Sequence, residues 1–563
     1  MKRKKLFSLL GSVCLVLVLL ALVLPACAKE AQAPTTPVVP TPTPIPTPTP
    51  TKPFEEELVV VLDTFNTETA LPHLGNFGDL GLWVSTYEYL VYRDPESGQP
   101  SVPGVAERWE ISDDKTQYTF YLRKGIQFHD GWGELTAEDV KFSFDMAVRE
   151  GSICSRAGYF RDTVQSIVVE NPYKVSFFLK DPNWEFMDSC SSWQPFLPVI
   201  CKKYIETVGE EEANLKPIGS GPYRFVDRSA GDFIKFEAVA DHWRNVPEFK
   251  WLTLRAVPEV STRASMLQAG EADIASLPFD RVAGIEKAGF RTVVNPGALL
   301  YWLVLGSLTL PTHPEFDPSV PWWADPADTK EWERALKVRM AMNLAVNKQE
   351  IIDVLFSGKA SLFGTPFYWP GEEGWDPAWE PYPYDPEKAK RLLAEAGYPD
   401  GFEVSVIPMC MPGRPESIDL TEAVAIYWEK IGLDVKRDVM DWVTLKPTMF
   451  ARNTKGCWIY GMPWYDEPIM AISKQCFSSE IFLTGAEVAY LDNVGGQAIK
   501  EVDAEKRNKL SRQWGQYAYD NYLVVPLCGK GKLWALSDRV GEWPLVPGVS
   551  FTAHQLDYVT LKR

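Results

Sequence analysis

The first 53 residues limit where this chain can build a folded core. Residues 1–5 (MKRKK) are basic, and residues 6–24 form an apolar run without a charge. Residues 34–53 then hold nine prolines, mostly alternating with threonine. Such a segment cannot form the hydrogen-bond ladder of a sheet and favours an extended polyproline helix, so it acts as a spacer. Compact domains are therefore expected only from about residue 54 onward.

The leader has the layout of a secretory signal: a basic head, an apolar middle and a small residue before the cut. Leu24-Pro25-Ala26-Cys27 resembles the lipobox of bacterial lipoproteins, which implies a signal peptide over 1–26 and lipidation of Cys27. Residues 27–53 are then a Pro/Thr-rich tether. An uncleaved anchor is the alternative, because the apolar run of 19 residues can span a bilayer. Both interpretations place the remaining chain outside the cytoplasm and beside a membrane.

The remaining length and charge restrict the class of protein. About 510 residues follow the tether, which is too many for one compact core, so two or three domains are expected. The formal net charge is −18. A nucleic-acid partner needs clustered Lys and Arg, so this acidic chain is not expected to bind one.

The cysteines do not predict a metal site. Seven of them lie beyond Cys27, and an odd number leaves at least one thiol unpaired. Cys190 with Cys201 and Cys457 with Cys476 are candidate bridges, and buried free thiols are the equal alternative. No Cys-x-x-Cys motif is present.

Catalytic motifs are absent from the sequence. The five histidines are widely separated, and there is no His-Glu-x-x-His, no Gly-x-Ser-x-Gly and no phosphate-binding loop. His129-Asp130-Gly131 is interpreted as a turn whose histidine is hydrogen-bonded. We therefore expect no enzymatic activity, no cofactor and no metal. A secreted hydrolase with a carboxylate pair stays open as an alternative, since 75 acidic residues make such pairs uninformative.

Local patterns predict a mixed α/β fold. Residues 118–122 and 174–179 are rich in aromatic and β-branched side chains and predict strands. Thr136, Asn347 and Asp385 each precede a helical apolar pattern and predict helix N-caps. Strands and helices mixed over this length indicate α/β lobes.

Aromatic residues suggest binding without chemistry. The chain holds 21 tryptophans, most of them expected in the core. Clusters occur at Trp322-Trp323, among Trp369, Trp375 and Trp379, and between residues 442 and 465. A cleft lined by such rings and a few polar groups is how a protein binds a small organic ligand.

Several motifs together resemble one family. They are residues 101–140, with FHDG at 128–131, then 219–223 (GSGPY), 270–274 (GEADI), 338–341 (VRMA) and 384–398. In this order they resemble the family 5 solute-binding proteins, the peptide/nickel-type receptors of ABC importers. The resemblance extends over roughly residues 58–530 and says little about the ligand.

The resemblance implies an α/β, two-lobe periplasmic-binding-protein-like (type II) fold with an extra domain inserted in the first lobe. Lobe one would comprise residues 54–85, 217–297 and 520–563, the inserted domain 86–216, and lobe two 298–519. A ligand would lie between the lobes and pass to a membrane permease driven by a cytoplasmic ATPase. The receptor is expected to act as a monomer.

The resemblance also implies ligand-binding residues, with core packing as the alternative for each. They are Tyr301, Trp302, Asp441, Trp442, Tyr460, Trp464, Tyr465 and Asp466. Trp464 falls near the position where dipeptide receptors place an aspartate for the ligand's amino group. This departure disfavours a simple dipeptide and favours a longer peptide held by its backbone. An oligosaccharide stacked on rings is the second hypothesis, nickel is disfavoured by the sparse histidines, and a module that only senses or adheres is a third class.

Overall fold

The computed structural model describes residues 54–562, apart from positions 76, 95–98, 155, 185, 194, 366, 411–413, 464–484 and 546–554. The strands are β1 (Phe54–Leu62), β2 (Val91–Tyr92), β3 (Val102–Pro103), β4 (Ala106–Ile111), β5 (Gln117–Leu122), β6 (Gln127–Phe128), β7 (Gly133–Glu134), β8 (Val164–Asn171), β9 (Lys174–Leu179), β10 (Tyr223–Ser229), β11 (Phe233–Ala238), β12 (Phe249–Ala256), β13 (Ile274–Ser276), β14 (Arg291–Val304), β15 (Glu403–Val406), β16 (Asp434–Arg437), β17 (Trp458–Pro463) and β18 (Val525–Leu536).

Helices alternate with these strands. They are α1 (Phe77–Leu80), α2 (Ala137–Val148), α3 (Ala157–Thr163), α4 (Phe186–Ser189), α5 (Lys202–Val208), α6 (Glu210–Leu215), α7 (Val260–Ala269), α8 (Val282–Lys287), α9 (Thr329–Leu344), α10 (Lys348–Phe356), α11 (Pro386–Glu395), α12 (Ser417–Lys430), α13 (Trp442–Phe450), α14 (Ala489–Lys500) and α15 (Ala504–Asp520). Among the described residues, no helix combines the length and the apolar character that a membrane span requires. The mixed α/β prediction is confirmed.

One eight-stranded sheet organises the chain, in the order β10-β11-β12-β1-β13-β18-β14-β17. β1 runs parallel to both β12 and β13, and the other pairs are antiparallel. β14 and β18 are the longest strands, with 14 and 12 residues, and they pair with each other. β18 and β14 therefore lie between the parallel strands of the sheet and its edge strand β17.

A second, antiparallel sheet has the order β4-β5-β9-β8. The predicted strands at 118–122 and 174–179 are confirmed as parts of β5 and β9. Phe120 and Phe177 on these strands meet edge to face, with their ring centroids 5.8 Å apart. Aromatic content thus places both strands around a shared core, as strand propensity anticipates.

The three predicted helix starts are confirmed. Asp139 accepts a hydrogen bond from the backbone N–H of Thr136 at 2.9 Å and so closes the first turn of α2. Asn347 accepts from the N–H of Glu350 at 3.2 Å, and Asp385 accepts from the N–H of Lys388 at 2.8 Å. Each side chain satisfies a backbone donor that has no partner within the helix.

The described residues form two apolar cores. One core joins β1, β10–β12 and the four-stranded sheet, and the other joins β14, β17 and β18 with α9, α10 and α12. Met266, Leu277 and Ile285 pack into the second core, although their sequence range was assigned to lobe one. The division into lobe and insertion ranges stays a prediction.

Most tryptophans belong to these cores. Seven are less than 2 % exposed: Trp83, Trp302, Trp323, Trp428, Trp458, Trp514 and Trp534. Trp322, Trp369 and Trp379 are buried as well. The tryptophan clusters near residues 322 and 369 are therefore core packing and not a ligand cleft, because burial of their rings stabilises the fold.

No disulfide bond joins two of the described cysteines. Five are buried and one is exposed: Cys154, Cys190, Cys201, Cys457 and Cys528, and Cys410 respectively. The candidate bridge between Cys190 and Cys201 is therefore wrong. Cys476, the candidate partner of Cys457, lies outside the described residues, and Cys457 is free.

The His129-Asp130-Gly131 motif is structural, as expected. His129 is buried, and its Nε2 lies 2.8 Å from the carbonyl oxygen of Gly221. Its backbone N–H donates to the carbonyl of Gly219 at 2.8 Å. His242 Nε2 lies 3.0 Å from the carbonyl oxygen of Ser220, between the two glycines. A Cβ on Gly219 would come within 1.9 Å of the Thr86 carbonyl oxygen, so this packing requires glycine.

Candidate ligand-binding site

A cavity of about 440 Å³ lies at the carboxyl edge of the parallel strands. Asp63 follows β1, and residues 277–280 follow β13 on the same edge. The end of α10, at Leu355 and Phe356, and the start of α12, at Glu416, close the cavity from the other side. Ligands of open α/β sheets bind beyond the carboxyl ends of the strands, so this position is a candidate binding site.

Two lysines on one face of β18 contribute to the cavity lining. Side chains alternate along a strand, so Lys530 and Lys532 point the same way. Lys530 Nζ forms an ion pair with Glu416, and Lys532 Nζ lies 3.7 Å from Asp63 Oδ1. Asp63 follows β1 on one side of the cavity, and Glu416 precedes α12 on the other side. β18 therefore makes an ion pair with each side of the cavity.

Glu416 is also hydrogen-bonded to Tyr301, one of the predicted ligand residues. The Tyr301 hydroxyl donates to Glu416 Oε1, the same atom that Lys530 approaches. Burial raises the pKa of Tyr301 well above its usual value, and the charge of Glu416 adds to this. Tyr301 therefore remains a neutral donor that orients the Glu416 carboxylate.

Burial makes the charged form of Lys532, on the cavity floor, less favourable. It lowers the pKa of Lys532 and outweighs the opposing effect of Asp63, while the nearby Arg263 lowers it further. Arg263 donates to the carbonyls of Ser276 and Val257, both at 2.6 Å, and is itself held below its usual pKa by burial. An anionic ligand group beside Lys532 would stabilise its charged form.

Carboxylates extend to the cavity rim. Asp419 lies in the first turn of α12 and is exposed to solvent. Asp280 is exposed as well, with its Oδ2 lying 3.6 Å from Nε of Arg281. The lining thus offers ammonium groups on the floor and carboxylates at the rim, which suits a ligand that carries both signs of charge.

Three of the predicted ligand residues form a buried layer next to this cavity. Tyr301 and Trp302 are fully buried, and Tyr460 is 6 % exposed. The Trp302 ring meets the rings of Tyr460 and Phe367, each at 5.2 Å between centroids. None of the three predicted residues lines the cavity directly. Tyr301 reaches it through Glu416, while Trp302 and Tyr460 pack in the core.

Two further predicted ligand residues, Asp441 and Trp442, do not line the cavity. Asp441 is the N-cap of α13 and accepts a hydrogen bond from the N–H of Thr444 at 2.8 Å, and hydrogen bonds from Thr444 lower its pKa. Trp442 is partly buried against the core. Trp464, Tyr465 and Asp466 lie outside the described residues. Their assignment as ligand residues stays a prediction, as does that of Asp441 and Trp442.

Sequence reasoning missed the charged lining. Asp63, Glu416, Lys530 and Lys532 were not singled out, yet they supply the ion pairs of the cavity. One signal was available: the otherwise buried strand β18 reads CGKGKL at 528–533, with two lysines on one face. Lysines that are only partly exposed within a strand require partners, and this need indicates a polar site.

No group of three or more His, Cys, Asp or Glu side chains suited to hold an ion occurs within the described part of the chain.

Comparison with known proteins identifies the family. A family model for bacterial extracellular solute-binding proteins, family 5 (middle), matches residues 101–481, more than half of the chain. The chain belongs to this family. It is therefore an extracytoplasmic solute-binding protein, as its resemblance implied, and the family is one of binding proteins and not of enzymes.

Individual relatives are moderately similar. Heme-binding protein A of Haemophilus influenzae is 30% identical over 473 residues, covering 78% of this chain and 80% of the relative. The dipeptide-binding protein of Escherichia coli is 28% identical over 369 residues, covering 61% of this chain and 64% of the relative. A glutathione-binding protein of Pectobacterium atrosepticum is 32% identical over 304 residues, covering 54% of each chain. The match therefore spans between about half and four fifths of these relatives.

Solved structures show the same fold. HbpA2 from Haemophilus parasuis is 26% identical, with a TM-score of 0.76 over 90% of this solute-binding protein and 100% of that chain. DppA from Helicobacter pylori in complex with the peptide STSA is 24% identical, with a TM-score of 0.65 over 90% and 98% of the two chains. The predicted type II periplasmic-binding-protein fold is confirmed.

Proposed function

We propose that this solute-binding protein captures peptides in the cavity beside β18 and delivers them to the permease of an ABC importer, which a cytoplasmic ATPase drives. The observation that carries the proposal is the cavity lining of opposite charges, supplied from both sides. A peptide is zwitterionic, so its carboxylate suits Lys530 and Lys532 and its ammonium suits Asp419. Relatives that bind a dipeptide or glutathione support the same ligand class.

Oligosaccharide is the weaker candidate. That hypothesis depended on tryptophan rings, and within the described residues no tryptophan lines the cavity. Its described aromatic members are Phe279 and Phe356, and both are buried. The exposed carboxylate of Asp419 favours a charged ligand over a neutral sugar, because a bound sugar would displace water from this carboxylate without supplying an opposite charge.

The ligand class is testable with a binding panel. Purified protein from residue 54 onward is titrated calorimetrically with peptides of two to nine residues, glutathione, hemin and malto-oligosaccharides. We expect peptides to bind and to be recovered uncleaved by mass spectrometry, since the protein is proposed to have no enzymatic activity. Binding of the sugars alone would overturn the peptide assignment, and cleaved peptides would favour the hydrolase.

Asp419→Asn is expected to weaken peptide affinity about tenfold, because the carboxylate would lose its charge toward the ligand's ammonium group. Stability should hardly change, since Asp419 is exposed. Asp400→Asn is the matched control, an exposed carboxylate that does not line the cavity. Equal affinities for the two variants in calorimetry would remove Asp419 from the site.

We propose further that Cys27 carries the lipid anchor, and that the protein is a monomer with the lobe and insertion ranges given above. The lipid anchor is supported by the lipobox-like sequence at 24–27, which is followed by the proline-rich tether. In a bacterial host, radiolabelled palmitate should mark the full-length protein and not the Cys27→Ser variant. Equal labelling of both would refute lipidation at Cys27. Light scattering that gives twice the chain mass would refute the monomer.

A further inference from the structure

We propose that the contact between Trp184 and Arg507 clamps the two sides of the ligand cavity in the ligand-free protein. Trp184 belongs to the side that carries the four-stranded sheet, and Arg507 lies on α15 of the other side. The proposal rests on the solute-binding role of the family and does not depend on which ligand is bound.

The contact is a stacked pair of flat groups. The guanidinium carbon of Arg507 lies 3.8 Å from the centroid of the Trp184 ring. Arg507 is 5 % exposed, and Trp184 is partly buried against the core that contains α9, α10 and α12. Arginine over a tryptophan face is the strongest common form of cation–π contact, and exclusion of water strengthens it.

Arg507 is held in place by hydrogen bonds to residues other than Trp184. Its Nε and Nη2 donate to the two carboxylate oxygens of Glu373, each at 2.7 Å. Its Nη1 donates to the carbonyl of Glu501 at 3.2 Å. A guanidinium fixed by a bidentate pair loses little further freedom when it stacks, so the contact is preorganised on this side.

The tryptophan is equally well supported. Its neighbour Asn183 donates from its backbone N–H to the carbonyl of Lys115 at 3.1 Å. The Asn183 side chain donates to the Tyr159 hydroxyl at 3.1 Å, and the Tyr118 hydroxyl donates to the Asn183 carbonyl. Tyr118 lies on β5, so the loop that presents Trp184 is attached to the four-stranded sheet.

Relative rotation of the two sides would break this contact. β14 and β18 connect the sides, and their register shifts between Asn295 and Leu299, next to the cavity. A second set of bridging contacts joins Ser357 Oγ to the Phe279 carbonyl at 2.9 Å and Lys359 Nζ to Glu286 Oε1 at 2.6 Å. The lysine pair is partly exposed and contributes little by itself. The buried stack adds to these contacts, and it differs from them in joining the loop of the four-stranded sheet to α15.

A contact made in only one arrangement shifts the equilibrium toward it. The apparent affinity for ligand then depends on the fraction of molecules in the binding-competent arrangement. Trp184 and Arg507 do not line the cavity, so they would act as positioning residues.

The test is small-angle scattering of the ligand-free protein. Trp184→Ala and Arg507→Lys should lower about three- to tenfold the ratio of molecules whose two sides are in contact, as seen here, to molecules whose sides are apart. The shift is measured as a larger radius of gyration. Arg507→Lys keeps the charge and loses the planar stack. Tyr121→Ala is the matched control, because Arg108 lies 3.3 Å from the Tyr121 ring centroid and both residues belong to the four-stranded sheet.

An unchanged radius in both variants would overturn the proposal, whatever happens to their melting temperatures. An equal increase in the Tyr121→Ala control would overturn it as well, since the effect would not be specific to the bridging contact. No ligand is added, so failure of the clamp is distinguishable from failure of the peptide assignment.

Discussion

Arg244→Ala is expected to lower the free energy of unfolding by about 3–5 kcal/mol. Arg244 donates from Nη2 to Glu88 Oε1 at 3.0 Å and from Nη1 to Asp557 Oδ2 at 3.1 Å. Its Nη1 also donates to the Tyr558 hydroxyl at 2.7 Å. Glu88 is fully buried and Asp557 is 5 % exposed, so the variant would leave two buried carboxylates without their cation. Urea denaturation at pH 7 measures the loss.

Arg108→Ala is the control for this prediction. Arg108 forms an ion pair with Glu110 at 2.8 Å, but both side chains are about half exposed. An exposed pair contributes about 0–1 kcal/mol, because water competes for both charges. If the two variants lose similar stability, the buried network around Arg244 is not the support that its geometry indicates.

The network also joins distant parts of the chain. Glu88 lies shortly before β2, Arg244 lies between β11 and β12, and Asp557 is close to the C-terminus. Burial raises the pKa of Glu88, and the charge of Arg244 opposes this rise. Loss of Arg244 is therefore expected to detach the C-terminal segment first, which hydrogen exchange of residues 556–562 would reveal.

Acidification from pH 6.5 to 4 is expected to destabilise the protein by about 3 kcal/mol through each of His129 and His242. Burial lowers the pKa of His129 to about 4 and that of His242 to about 3, and for His242 the charge of Arg244 adds to the effect. The unfolded chain binds a proton near pH 6.5, before the folded rings do. The stabilisation is therefore complete above pH 6.5 and is lost as the pH falls below it.

The measurement compares the pH dependence of the unfolding free energy between pH 7.5 and 4. His242→Gln should flatten this dependence relative to the unchanged protein, because the group that takes up the proton on unfolding is gone. His313→Gln serves as a control, since this histidine is only partly buried. A slope that stays the same in His242→Gln would show that the ring does not titrate on unfolding.

Only part of the candidate site could be predicted from the sequence. Tyr301 was selected through the family resemblance, and the structure connects it to the cavity by its hydroxyl on Glu416. Trp302 and Tyr460 came from the same selection, yet both are core residues. Adjacent residues in a strand face opposite sides, so a correct position along β14 did not decide which side chain approaches the ligand.

Local sequence determined what depends on neighbours along the chain. The caps at Asn347 and Asp385 act over three residues, and the aromatic strands around 118–122 and 174–179 follow their own composition. The ordered motifs from residue 101 onward also established the family and with it the type II fold.

Only the tertiary structure decided which charges meet. Glu416 and Lys530 are 114 residues apart, and Asp63 and Lys532 come from opposite ends of the chain. Their pairing follows from the order of strands in the eight-stranded sheet, which places β18 beside the carboxyl edge of β1 and β13. With 75 acidic and 57 basic side chains available, no pattern along the chain selects these pairs, because long-range packing alone brings their charges within a few ångströms.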